Sequence, residues 1–328
     1  MYQPIWFSSV MATGIVALAL REQGFSTIAW VLAAVAATTY VVLVIAHFRT
    51  GRQPRSRGEA VGLFAFVAAT EVLASVSEWH YVTLVLWAVG AAAWLPAVAV
   101  LLSTPVEPGE AVKGSWLLVT VATDSLAVAG APLAHRAGSD FAVALAAATW
   151  LLALSIYCVL AGVIVRRIAK REITRSDLDG DHWVTKGALA ISTLAGSRVL
   201  AAMIGLGWGH GVREAARVLT IVVWIGALAW LPLLITAETW RLRRPPFYTV
   251  ARWSTVFPLG MLAVASHALA LTAGVQAGKP VATAFTAFGA AAWVVVAYAG
   301  IRAGSSSCSR KNLTIGPTYS SSRGQRRP

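Results

Sequence analysis

Ten apolar runs, each about long enough to cross the hydrocarbon core of a bilayer, dominate this 328-residue chain. They fall at 4–20, 26–47, 60–76, 81–103, 113–132, 141–165, 187–206, 216–237, 253–274 and 281–301. A backbone in lipid must satisfy its polar groups internally, so runs of this length restrict the fold to helices. The runs are apolar around their whole circumference, not along one stripe, which excludes a soluble helical bundle. Only 12% of the residues are charged, about half the share usual in soluble domains. The expected fold is an all-α membrane protein, with a ten-helix transmembrane domain over 1–303. The segment 304–328, rich in Ser, Gly and Arg without apolar periodicity, reads as a disordered basic cytoplasmic tail.

The net charge of +13 would suggest a nucleic-acid partner in a soluble protein. Here the basic residues gather in alternate loops, so the charge encodes topology and no nucleic acid is expected. The segments after runs 2, 4, 6 and 8, with the tail, hold 21 of the 27 Lys and Arg; the other face holds 5 (Arg21, Arg136, Arg213, Arg217, Lys279), and Arg198 lies within a run. This bias places both termini in the cytoplasm of a cell whose inner (plasma) membrane the chain spans, and it requires an even number of crossings. The first run has no basic residue before it, unlike a signal peptide, and is expected to be retained as a span.

Two cysteines, Cys158 and Cys308, are too few and too differently placed for a disulfide scaffold or a thiolate-bound metal. The loop with Asp177, Asp179 and Asp181 resembles a calcium loop only superficially. Its glycine, Gly180, precedes the third acid, and Ala188 stands where a bidentate Glu would be needed. It reads as a solvated loop capping the start of run 7. No cofactor and no metal are expected.

The ionisable residues inside the runs are Glu71 in run 3, Asp124 in run 5, Arg198 in run 7 and His267 in run 9. All are in odd-numbered runs. A lone charge at mid-bilayer costs about 2.5–3.5 kcal/mol, so these groups must face one another or water. The odd helices should therefore form an inner set and the even helices an outer, lipid-facing set, with the four groups forming one polar layer. The Trp residues of the even runs sit mostly toward the ends, as interfacial anchors do. Glu71 and Arg198 either pair to fix helix packing or handle a solute or a proton directly. Asp124 either carries a proton or bonds across helices, and His267 is the one histidine well inside a run. In run 1, Gly14 either widens a pore wall or lets helices pack closely, and Thr13 offers its hydroxyl to a solute or to its own helix.

Run 9 is irregular beyond what anchoring requires. Pro258 removes a helical donor and bends the helix beside Phe257, which is either a steric gate or one more packed ring. Such a helix suits the lining of a cavity, and transport is the first functional reading.

Three motifs carry a resemblance to a known family: Pro4-Ile-Trp-Phe7 with Val10-Met-Ala-Thr-Gly-Ile15, Asp181-His-Trp183 before Gly187-Ala-Leu-Ala-Ile191, and Trp253-Ser-Thr-Val-Phe-Pro-Leu-Gly260. Over about residues 4–303 the chain resembles the tellurite-resistance and dicarboxylate transporter family, related to plant slow-type anion channels and to fungal sulfite and malate transporters. The resemblance implies five helical hairpins around a quasi-fivefold central pore, odd helices inside and even helices outside, in a homotrimer with one pore per subunit. It places the family's gating phenylalanine on Phe257 and its first-helix pore glycine on Gly14. An anion path should not be lined by uncompensated carboxylates, so Glu71 and Asp124 must either pair away from the lumen or carry a proton.

The leading expectation is transport of a small anion, either an oxyanion such as sulfite or tellurite or a C4-dicarboxylate such as malate, drawn by Arg198 and controlled by Phe257. The alternative within transport is a proton-coupled C4-dicarboxylate carrier using Glu71 or Asp124. Outside transport, an intramembrane enzyme would need a catalytic cluster, and the runs contain no paired Asp-rich motif, HExxH or Ser/Lys arrangement. A non-catalytic membrane assembly subunit would tolerate replacement of all four embedded groups.

Overall fold

A computed structural model of the chain describes residues 4–51, 54–105, 111–173, 180–242 and 248–313. The described residues form helices and no strands. In chain order the helices are α1 (Phe7–Glu22), α2 (Ser26–Thr50), α3 (Arg57–Val61), α4 (Leu63–Val76), α5 (His80–Ser103), α6 (Leu118–Arg136), α7 (Asp140–Ala169), α8 (Val184–Gly205), α9 (His210–Ala229), α10 (Leu231–Leu242), α11 (Trp253–Thr272) and α12 (Gly278–Leu313). Helices α3 and α4 make one crossing, Arg57–Val76, and α9 and α10 make another, His210–Arg241.

Nine helical stretches among the described residues are long and apolar enough to cross a membrane. The tenth expected crossing, α1, has only 16 residues. The 3-10 turn Pro4–Trp6 precedes it directly, and the two together rise about 30 Å, enough to span.

Local chemistry sets the boundaries. Ser56 opens α3 by accepting from the Glu59 amide (3.3 Å), while the Glu59 carboxylate accepts from the Arg55 amide (3.0 Å), a variant of the capping box. Ser139 caps α7 through the Ala142 amide (3.2 Å). The step from α9 to α10 falls just before Pro232, which sits in the first turn of α10, where its missing donor costs nothing. The expected cap from the Asp-rich loop is not seen. Trp183, which directly precedes α8, makes no side-chain cap, and Asp177 and Asp179 lie outside the described residues. Asp181 instead packs its backbone against Gly114, where a Cβ would overlap the Asp181 carbonyl. Helix α12 runs to Leu313, past the point where the sequence places the start of its tail; residues 314–328 lie outside the described ones.

Burial alternates along the chain. In the crossings at Arg57–Val76, Gly114–Arg136, Asp181–Gly205 and Val250–Thr272, 78–83% of the most apolar stretch is buried, against 11–28% in the five that alternate with them. Helix α1 belongs with the first group, being buried almost continuously from Phe7 to Ala19. Each buried helix forms a hairpin with the exposed helix after it: α1 with α2, α4 with α5, α6 with α7, α8 with α9, and α11 with α12. The buried helices also pack on one another in sequence, α1 on α4, α4 on α6, α6 on α8, α8 on α11, and α11 back on α1.

The same kind of joint recurs between hairpins. An aromatic side chain of each exposed helix reaches the next buried helix: Tyr40 of α2 bonds Thr70 of α4 (2.7 Å), Trp94 of α5 donates to Thr123 of α6 (3.0 Å), Trp224 of α9 to Ser266 of α11 (2.9 Å), and Trp293 of α12 to Thr13 of α1 (3.0 Å). At the fifth joint Trp150 of α7 packs over Gly196 of α8, and its indole N–H has no acceptor among the described residues. This corrects the reading of the even-run tryptophans as interfacial anchors. Trp94, Trp150, Trp224 and Trp293 join outer to inner helices, while Trp30 and Trp79 are exposed at helix ends.

Candidate functional site

The residues on which a site can be built are the polar groups of the five buried helices. Most hydroxyls there are already committed. Thr13, Thr123, Thr193 and Ser197 each donate to the carbonyl four residues back (2.8–2.9 Å), the usual resting place of a hydroxyl in an apolar helix. Thr13 also accepts from Trp293, so its hydroxyl is used twice.

The two acids turn into helix interfaces. Asp124 is fully buried and accepts a hydrogen bond from Ser192 Oγ across the α6–α8 contact. The carboxyl of Glu71 occupies the space that a side chain at Gly90 of α5 would need, and neither of its oxygens has a partner among the described residues. It is therefore not ion-paired with Arg198.

Arg198 and His267 do come together. Both are half-buried, on adjacent helices α8 and α11, and the guanidinium is within electrostatic reach of the imidazole and of the Glu22 carboxyl at the end of α1. Arg21, the other guanidinium near Glu22, is committed to the Val76 carbonyl (2.8 Å) and Glu78 (3.2 Å). Arg198 makes no hydrogen bond or ion pair with any described residue. Three buried helices thus bring one uncommitted cation, one imidazole and one carboxyl to a common region. Among the described residues no three His, Cys, Asp or Glu side chains group as a metal site.

Gly14 lies against α4, where a Cβ would come within 2.6 Å of Val72 Cγ1. Its small size serves close helix approach in this conformation. Phe257 is 2% exposed and belongs to the apolar core, and Pro258 sits within an unbroken α11.

Two charged residues of this region were misread from sequence. Glu22 lies just past the first apolar run, so a hydropathy reading places it outside the embedded set. Lys186, one residue before the run at 187–206, falls among the loop cations by position, yet it is fully buried inside α8. Its Nζ donates to the Pro258 carbonyl (3.0 Å) and lies 4.7 Å from the centre of the Phe285 ring. Nearby, Glu238 binds Arg252 through both oxygens (2.6 and 3.2 Å) and accepts from Trp183 Nε1 (3.0 Å), which ties the starts of α8 and α11 to α10.

Residues 1–301 match SLAC1, described as voltage-dependent anion channel. Two curated membrane proteins of Mycobacterium tuberculosis, Rv1735c of strain ATCC 25618 / H37Rv and MT1776 of strain CDC 1551 / Oshkosh, are each 30% identical over 127 residues. That alignment covers 36% of this chain and 61% of theirs, and both are described only as uncharacterized membrane proteins. This multi-pass membrane protein belongs to the SLAC1 family of voltage-dependent anion channels, whose members are anion channels or transporters and not enzymes.

Proposed function

We propose that the chain conducts a small anion through a quasi-fivefold pore enclosed by α1, α4, α6, α8 and α11, one pore in each subunit of a homotrimer in the inner membrane, with both termini cytoplasmic. The observation that carries the reading is Arg198, a cation on a buried helix with no bonding partner among the described residues. A charge placed so inside an apolar bundle is costly unless water or a solute meets it. The recurring aromatic joints and the return of α11 onto α1 support the enclosed arrangement. The substrate class is an oxyanion such as sulfite or tellurite, or a C4-dicarboxylate such as malate. Arg198 attracts it and Phe257 is the constriction.

The test is uptake of sulfite and malate into proteoliposomes carrying the wild type, Arg198→Ala or Arg198→Lys. At about 6 Å and an effective dielectric near 40, one charge contributes about 1.4 kcal/mol, or about tenfold in flux. Arg198→Ala should lose about that much and Arg198→Lys should retain most of it. Equal flux in all three proteins refutes the reading. A second reading, the proton-coupled carrier, takes support from Asp124, whose Oδ1 has no partner among the described residues. Uptake by the wild type that requires an imposed pH gradient, and is lost in Asp124→Asn, would favour it.

A further inference from the structure

Lys186 is the one Lys or Arg among the described residues that is fully buried. Burying an ammonium costs stability unless its few contacts compensate, and a Met would fill much the same volume without that cost. Its contacts converge on Pro258. The ammonium donates to the Pro258 carbonyl across 72 residues of chain (3.0 Å), and it is backed by the Phe285 ring of α12 (4.7 Å) and the Trp183 ring (5.9 Å). The next residue, Gly187, receives the proline ring itself; a Cβ there would come within 2.8 Å of Pro258 Cγ. Pro258 is thus gripped at both ring and carbonyl by consecutive residues of α8.

The position of that grip matters. Proline has no N–H to give the carbonyl of Ser254, so the first turns of α11 are joined to the rest by a weakened ladder. The start of α11 is held by Arg252 against Glu238. Between that anchor and Pro258 lies Phe257, whose ring direction follows the backbone of this short segment.

We propose that Lys186 is a positioning residue: its bond to the Pro258 carbonyl fixes the segment of α11 that carries Phe257 and so holds the constriction shut. The inference rests on the reading of Phe257 as the constriction of the pore. Lys186 touches no solute in this scheme; it acts through α11.

The experiment compares the full-length wild type with Lys186→Met, Phe257→Ala and the double variant, by sulfite and malate uptake into proteoliposomes. Lys186→Gln is the second variant, since it is shorter and cannot reach the carbonyl, and Lys186→Arg retains a donor. Loss of one charged hydrogen bond should raise flux about tenfold in Lys186→Met and Lys186→Gln. Lys186→Arg should stay within about twofold of wild type. In the Phe257→Ala background Lys186→Met should add nothing, because the group it positions is gone. A folded Lys186→Met or Lys186→Gln protein with wild-type flux, or a Lys186 effect that multiplies with Phe257→Ala, overturns the proposal while Phe257→Ala still opens the pore. Wild-type flux in Phe257→Ala would overturn the constriction reading, and this proposal with it.

Discussion

Replacing Phe257 with Ala separates two roles that its burial alone leaves together. The side chain is 2% exposed, so as a core filler its truncation would remove a full set of packing contacts and leave a cavity. Such losses run to about 3–5 kcal/mol. As a constriction, the ring packs on one side and faces the narrowed path on the other. Truncation then forfeits roughly half of those contacts, and water entering the widened path relieves the cavity cost, for a loss of about 2 kcal/mol.

The two roles also predict opposite fluxes. A constriction mutant conducts faster, whereas a core mutant conducts at the wild-type rate or slower. Unfolding in mixed detergent micelles, followed by the emission of the 14 tryptophans, gives the first quantity, and sulfite uptake gives the second. A loss near 4 kcal/mol with unchanged or reduced flux would refute the reasoning. A loss near 2 kcal/mol with flux raised several-fold is the expected result.

Three further substitutions test the packing that frames the site. Ser192→Ala removes the donor that Asp124 accepts from and leaves a fully buried carboxyl without it; unfolding should show a loss of about 1–3 kcal/mol, partly recovered in Asp124→Asn with Ser192→Ala. Trp94→Phe and Trp293→Phe each delete one joint hydrogen bond (3.0 Å) and should cost about 1 kcal/mol apiece; joints on separate hairpins should add in the double variant, as thermal unfolding in detergent can check.

The crossings were legible because the bilayer imposes a length on them, and the division into buried and exposed helices was legible because the cost of an embedded charge restricts where one can sit. Both inferences use one residue at a time. What they missed depends on two. Lys186 stands one residue before the run at 187–206, so a hydropathy reading puts it in a loop; only the approach of Pro258 and Phe285, distant in sequence, shows that the helix and its burial begin earlier. Glu22 was missed for the same reason at the other end of a run. The tryptophans of the outer helices were misread because an indole looks alike in sequence whether its N–H meets water at an interface or a threonine on a neighbouring helix. The spacing of Trp94 and Trp293, well inside their helices, was the available signal.

The acids in the buried set posed a contradiction for an anion path, and the geometry resolves most of it. A side chain on an inner helix can point inward or along the seam with a neighbour. Asp124 takes the seam with α8, where Ser192 receives it, and Glu71 takes the seam within its own hairpin, in the hollow left by Gly90. Neither needs to present negative charge to a passing anion. The acid that remains beside the proposed path is Glu22, and it stands between two arginines, of which Arg21 is spent on Val76 and Glu78. Arg198 is bonded neither to Glu22 nor to any other described residue, so on the proposed reading its charge remains available to a solute. Glu22→Gln should therefore leave sulfite uptake into proteoliposomes within about twofold of wild type where Arg198→Ala loses about tenfold, and a change in Glu22→Gln as large as that in Arg198→Ala would refute this assignment of the charge.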